Sequence, residues 1–180
     1  MLSLAIVLLL AAPPKVGDAA PPLSCRDVMD RPVAAPDAGS VMVLSFASRS
    51  TGEKAGELTR AVRVRHPDVK ILSFIDLSGF PGFMRGLIKG RIVKRQPGAV
   101  KDARDAFVKA GKTPPEDLDA RIHIIPDFDA KYCKAYGAND TGHQAKMVVI
   151  GCDGTIKAAF STTPSLDDLN AAVDKEARGQ

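Results

Sequence analysis

Two apolar, β-branched runs, "VMVLSFA" (Val41 to Ala47) and "VKILSFID" (Val69 to Asp76), flank a charged stretch in which apolar residues recur at helical spacing. The pattern predicts strand, helix, strand, and therefore a parallel pair joined by a crossover. Within the crossover, Leu58, Ala61 and Val62 are expected to face the sheet. Further on, "RIHIIPD" (Arg121 to Asp127) reads as a strand, "AKYCKAY" as a short helix, and "KMVVIG" and "TIKAAFS" as two more strands. Cys152-Asp153-Gly154 lies between the last two, and its Asp-Gly is a hairpin signal, so that pair is antiparallel. A closing helix follows, with Ser165 as N-cap and Leu166, Leu169, Ala172 and Val173 on one face. Pro13 to Gly39 is a Pro-rich, extended approach with one short strand candidate near Leu23 to Val28.

Between the second strand and "RIHIIPD" lies a long segment, Gly79 to Ala120. On a helical wheel Phe80, Phe83, Met84, Leu87, Ile88 and Ile92 form one face, with Arg85 and Lys89 on its flank. Gly82, Gly86 and Gly90 add a stripe that permits close backbone approach, each at about 1 kcal/mol of helix propensity against Ala. Two readings follow. The apolar face packs on the sheet and leaves solvated basic residues outside, or it meets a membrane surface or partner through a basic surface of Arg85, Lys89, Lys94 and Arg95.

Charge sharpens that picture. The chain of 180 residues carries a net +4, while Phe80 to Arg104 alone holds seven Lys or Arg against one Asp. The remainder is slightly acidic. The overall balance is too modest to announce nucleic acid, and none is expected as a partner. At 45 % hydrophobic and 26 % charged, the composition is that of one globular domain over 13–180. Residues 1–12, with an unbroken apolar run from Leu4 to Ala12, are too short to span a bilayer and suit a secretory signal. Export to the periplasm or another extracytoplasmic space is expected, with the cleavage site unspecified.

The order strand, helix, strand, helical region, hairpin, helix resembles the thioredoxin-like superfamily. "VGDAAPPL", "VMVLSFASRS", "DFDAKYCKAYGA" and "KMVVIGCDGTI" are similar to the opening, first core strand, late helix and closing hairpin of its redoxin branch, the AhpC/TSA and TlpA-like proteins. "ASRSTGEKAGELTRAV" and the long segment after Asp76 look most like YtfJ-type exported proteins, which lack the CxxC pair. The resemblance implies an α/β fold with a central mixed β-sheet flanked by helices and a helical insert, about 79–120, after the second core strand. It also implies a vestigial active-site pole at Ser50, Thr51, Gly52, Glu53, His143 and Ala145.

Redox catalysis needs a low-pKa thiolate at the helix start and a second sulfur to receive the electrons. Ser50 and Glu53 occupy those positions, and Ala145 stands where the resemblance places a cis-proline. A trans bond is expected at Ala145. Ser-x-x-Glu before an amphipathic run predicts a capping box between Ser50 and Glu53. His143, Asp140 and Glu53 are candidates to meet at the same pole, either as a polar rim or as acid-base groups. His66, His123 and His143 show no paired metal spacing, so neither a metal nor another cofactor is expected.

Three cysteines permit at most one internal disulfide, with the pairing open. Cys25 and Cys133 read as core, and Cys152 as an exposed residue at the hairpin tip. The expectation is a non-catalytic binding or accessory protein of the cell envelope whose partner is an unidentified protein or peptide. The alternative is a thiol-dependent peroxidase or oxidoreductase using Cys133, Cys152 or Cys25.

Overall fold

A computed structural model describes residues 13–177, so the signal-like segment 1–12 lies outside the described residues. Four apolar strand segments build the centre of the molecule: β3 (Met42–Ala47), β4 (Lys70–Asp76), β5 (His123–Asp127) and β6 (Lys146–Ile150). With β7 (Ile156–Phe160) they form one mixed sheet in the order β5-β4-β3-β6-β7. β3, β4 and β5 run parallel, whereas β6 pairs antiparallel with both β3 and β7. The expected architecture of a mixed sheet flanked by helices therefore holds. The crossover from β3 to β4 is α1 (Gly52–Arg65), and α4 (Leu166–Ala177) closes the chain.

β1 (Leu23–Arg26) and β2 (Pro32–Ala35) pair as a separate antiparallel ribbon. Only the first was expected. Pro32 is tolerated because it opens its strand, where a missing N–H costs no interior ladder bond. The turn between the two is fastened to β5. Buried Asp27 accepts from the Arg31 side chain and from the Met29 and Arg31 amides, and lies 2.9 Å from His123 Nδ1.

Every residue of β3 is buried, so each face of the sheet has its own core. On one, Met42, Leu44, Phe46 and Phe74 pack against Cys133 of α3 (Lys131–Ala135) and its C-cap residue Tyr136, with Phe46 and Phe74 stacked at 4.9 Å. The side chain of Asp127 begins α3 by accepting from the amides of Lys131, Tyr132 and Cys133. Gly137, at φ 67, ends it: its own amide reaches Lys134 O and the next amide reaches Cys133 O. On the other face, Val43, Met147 and Val149 pack against Leu58 and Val62 of α1 and Leu169 and Val173 of α4. Ala61 is half-buried, and Leu166, expected on the α4 core face, is 38 % exposed. Ser165 caps α4 as expected, its Oγ accepting from Asp168 N at 3.1 Å.

The insert differs from expectation in what it touches. A single 3-10 turn, Gly82–Met84, leads into α2 (Arg85–Lys109), which runs through Pro97. Its buried residues are Gln96, Val100, Ala103 and Phe107, all from Gln96 onward, and the last three join Leu118 and Ile122 in a third cluster. Ahead of them Phe83 is 88 % exposed and Leu87 55 % exposed, so the apolar face over Phe80 to Ile92 does not pack wholly on the sheet. The glycine stripe brings no backbone close either: a Cβ at Gly82, Gly86 or Gly90 would meet nothing within 4 Å.

Candidate functional site

The carboxyl ends of β3 and β4 and the start of α1 meet the loop ahead of β6, because β6 pairs antiparallel with β3 and Lys146 lies opposite Phe46. At this pole stand Ser50, Thr51, Gly52 and Glu53. The expected capping box does not form. Thr51, not Ser50, occupies the N-cap position and makes no side-chain cap bond, while its carbonyl accepts from Ala55.

The hydroxyls are committed across the pole instead. Ser50 Oγ donates to Gly142 O at 2.7 Å, and Thr51 Oγ1 donates to Thr141 O at 2.8 Å. Thr141 Oγ1 in turn donates to Asp76 Oδ2 at 2.9 Å, and Ser78 donates to Asp76 Oδ1 through both its amide and its hydroxyl. Ser48 joins the start of this chain, its amide donating to Thr51 Oγ1 and its Oγ lying 2.9 Å from Ser50 Oγ. Partial burial alone would raise the Asp76 pKa, but the Ser78 and Thr141 donors outweigh it and hold the carboxyl below its ordinary value. The pole is thus a lattice of hydroxyls around an ionised carboxylate.

Ala145 is fully buried in that loop, and its peptide bond is trans as expected. Its amide donates to Thr163 Oγ1 at 2.9 Å. His143, Asp140 and Glu53 are each exposed, and among the described residues no hydrogen bond or ion pair joins them. They form a polar rim. Ser50 therefore has no base in contact, which leaves its hydroxyl at ordinary reactivity.

All three cysteines are free thiols. Cys133 is fully buried on α3, and burial beside Asp127 and Asp76 pushes its thiol far above the ordinary range. Partial burial also raises Cys25, an effect that the Tyr132 hydroxyl only partly offsets. Cys152 is half-buried, not exposed, and follows β6 at its far end, where Ile150 pairs with Met42 and Cys152 O accepts from Gly39 N. The six residues of β3 separate it from the pole by about 17 Å at about 3.3 Å per residue. No sulfur stands at the start of α1.

The histidines serve other ends. His66 is the C-cap residue of α1 and is largely buried 3.4 Å from Asp174. His123 holds Asp27. Among the described residues no group of three or more His, Cys, Asp or Glu is arranged to hold a metal.

No family model and no curated protein matches the sequence. Solved structures do match. StoA of Bacillus subtilis is 13 % identical at a TM-score of 0.53 and covers 86 % of this chain and 97 % of its own. A secreted Mycobacterium tuberculosis disulfide oxidoreductase, homologous to E. coli DsbE, is 16 % identical at 0.51 and covers 85 % and 95 %. A peroxiredoxin-like protein of Aquifex aeolicus is 13 % identical at 0.56 and covers 92 % and 90 %. The chain has a thioredoxin-like fold. At such identities the likeness is one of architecture and not of activity.

Around the basic segment, two of the four proposed contact residues are already engaged. Arg85 pairs with Asp129 and lies over the Phe128 ring, and Lys89 pairs with Asp30 at 2.8 Å. Both pairs are exposed and weak, worth about 0 to 1 kcal/mol, but they tie the start of α2 to the α3 approach and the β1-β2 turn. Lys94 and Arg95 are exposed without such partners among the described residues. The cavity between α1 and α2 was not legible in the sequence, because helical periodicity reports an apolar face without reporting what it faces.

Proposed function

We propose that this protein is an exported, redox-inert member of the thioredoxin-like superfamily that acts by binding, as an accessory protein of the cell envelope. The observation that carries the reading is the start of α1, where Ser50 and Glu53 stand and the Ser50 hydroxyl is spent on Gly142 O. A thioredoxin-type exchange needs an activated thiolate there, and hydroxyls cannot accept electrons from a disulfide. The thiol-dependent alternative draws no support from the sulfurs: Cys133 and Cys25 are shifted away from thiolate, and Cys152 lies at the opposite end of the sheet.

Export is supported by the apolar run from Leu4 to Ala12, and no helix among the described residues is long and apolar enough to cross a membrane. The stretch "ASRSTGEKAGELTRAV", the long segment after Asp76 and the thiol-free helix start favour the YtfJ-type branch. The partner we assign is an envelope protein or peptide, with the membrane surface a further candidate and nucleic acid none.

The test is the pH dependence of alkylation, followed by intact mass. The reading expects each cysteine of the native protein to react with iodoacetamide at pH 6 no faster than free glutathione, with Cys133 the slowest. A thiol alkylated at least tenfold faster than glutathione at that pH would be an activated thiolate and would overturn the reading.

A further inference from the structure

A cavity of about 640 Å³ lies between α1 and the first half of α2, over β3 and β4. That volume is in the range of small-molecule sites, about 300 to 1,000 Å³. Met84, just ahead of α2, and Ile88 and Ile92 of α2 form one wall, Ala55 and Thr59 of α1 the other, and Ala47 and Ile75 belong to the floor. It exists because α2 reaches the core only from Gln96 onward, where Gln96 Nε2 donates to Ile122 O. The preceding turns stand off the sheet.

The charge in this cavity is one-sided. Arg49, Arg60, Arg63, Arg91 and Arg95 line it, against Glu53 as its one acid. Among the described residues none of these arginines forms an ion pair, although Arg65, Arg85, Arg104 and Arg121 all do. Arg63 is the telling case. It is 6 % exposed, and its guanidinium donates to one neutral acceptor, Arg121 O, at 3.1 Å. Burial, with the nearby charge of Arg121, pushes its pKa down to about 10, so it remains a cation at neutral pH. A buried cation beside hydrocarbon calls for an anionic partner, which none of the described residues supplies.

We infer that this groove binds a long-chain fatty-acid anion, its carboxylate on Arg63 and Arg95 and its chain along Ile92, Ile88 and Met84. Arg63 donates to Arg121 O and Arg95 precedes Gln96, which holds Ile122 O, whereas Met84 lies about three helical turns earlier, just ahead of α2 and toward the pole. A carboxylate accepts the guanidinium fork in bidentate fashion, which a neutral headgroup cannot do. One acyl chain matches one apolar wall, whereas an acidic peptide would leave that wall without hydrocarbon. The inference rests on the binding role proposed above and gives it a ligand class, but it does not depend on the thiols.

Isothermal titration of the full chain with decanoate, dodecanoate and tetradecanoate, each below its micelle concentration, tests this directly. One site is expected, with affinity rising about fourfold per added methylene. The methyl ester of dodecanoate should bind at least tenfold more weakly than the acid. Arg63→Met should abolish that preference, and Arg95→Met, at an exposed position, should reduce it if loss of the buried arginine prevents folding. Ile88→Asp should remove binding while circular dichroism stays native. Equal affinity for acid and ester would overturn the inference, as would no dependence on chain length. Binding only to anionic phospholipid vesicles, only to polyglutamate, or self-association without fatty-acid uptake would assign the groove to another occupant and equally overturn it. The titration reads no sulfur chemistry, so its failure leaves the alkylation result standing, and the reverse holds too.

Discussion

Leu87 and Phe107 lie on the same helix, and replacing each by Ala separates the half of α2 that packs from the half that does not. Phe107 is 2 % exposed and touches the cluster of Val100, Ala103, Leu118 and Ile122. Its truncation removes the ring and leaves a cavity under a surface helix, so Phe107→Ala should cost about 3 to 5 kcal/mol. Leu87 is 55 % exposed. A full burial of Leu is worth about 1.5 to 3 kcal/mol, so less than half of that is at stake. Ala is also the better helix former, which offsets part of the loss. Leu87→Ala should therefore cost below about 1 kcal/mol. Urea unfolding followed by circular dichroism, with m-values checked for equality, reads both. A loss above about 2 kcal/mol for Leu87→Ala would mean that the first half of α2 is seated on the sheet, and the groove it borders would then not exist as described.

Three other expectations follow from the same physics. Gly86→Ala and Gly90→Ala should each stabilise the fold by about 1 kcal/mol in urea melts, because a methyl group there meets open space. Asp127→Ala should cost about 1 to 3 kcal/mol, since three buried or half-buried amides at the start of α3 lose their acceptor; Asp127→Asn should recover part of it. Burial is the largest cause holding His66 and His123 below their ordinary 6.5, so the unfolded chain binds more protons than the folded one beneath that value. Stability should be flat in their contribution above pH 7 and fall as pH drops from 6.5 toward 5, whereas the lowered carboxyls of Asp27 and Asp76 matter only below about 3.8. Thermal midpoints across pH 5 to 8 check the sign.

The sheet was the readable part of the chain, and the reason is local. Continuous apolar runs such as "VMVLSFA" carry their burial in adjacent residues, and the Asp-Gly after Cys152 sets the hairpin without reference to anything distant. Ser165 was legible for the same reason, as its partner Asp168 is one turn away. Ser50 offered the same local signal and misled, because the Thr141 and Gly142 carbonyls, about 90 residues off, take the hydroxyls of Thr51 and Ser50. No short-range rule weighs a capping bond against a loop brought in by β6. β2 was hidden likewise, its ribbon being held by Asp27 reaching His123 across 96 positions. The amphipathic start of α2 was visible as a pattern, but its outcome depended on where Gln96 anchors the helix. Its glycines suggested close approach, yet space and approach are indistinguishable until the neighbours are placed.

We propose a thioredoxin-like scaffold that works without sulfur chemistry. The most direct measurement is turnover of insulin disulfides with dithiothreitol, and of hydrogen peroxide with a thioredoxin reductant, by the wild-type chain beside a variant with Cys25, Cys133 and Cys152 all replaced by Ala. Both proteins are expected to stay at the uncatalysed rate with both substrates. Catalytic turnover by the wild type that disappears in the cysteine-free variant would contradict the proposal.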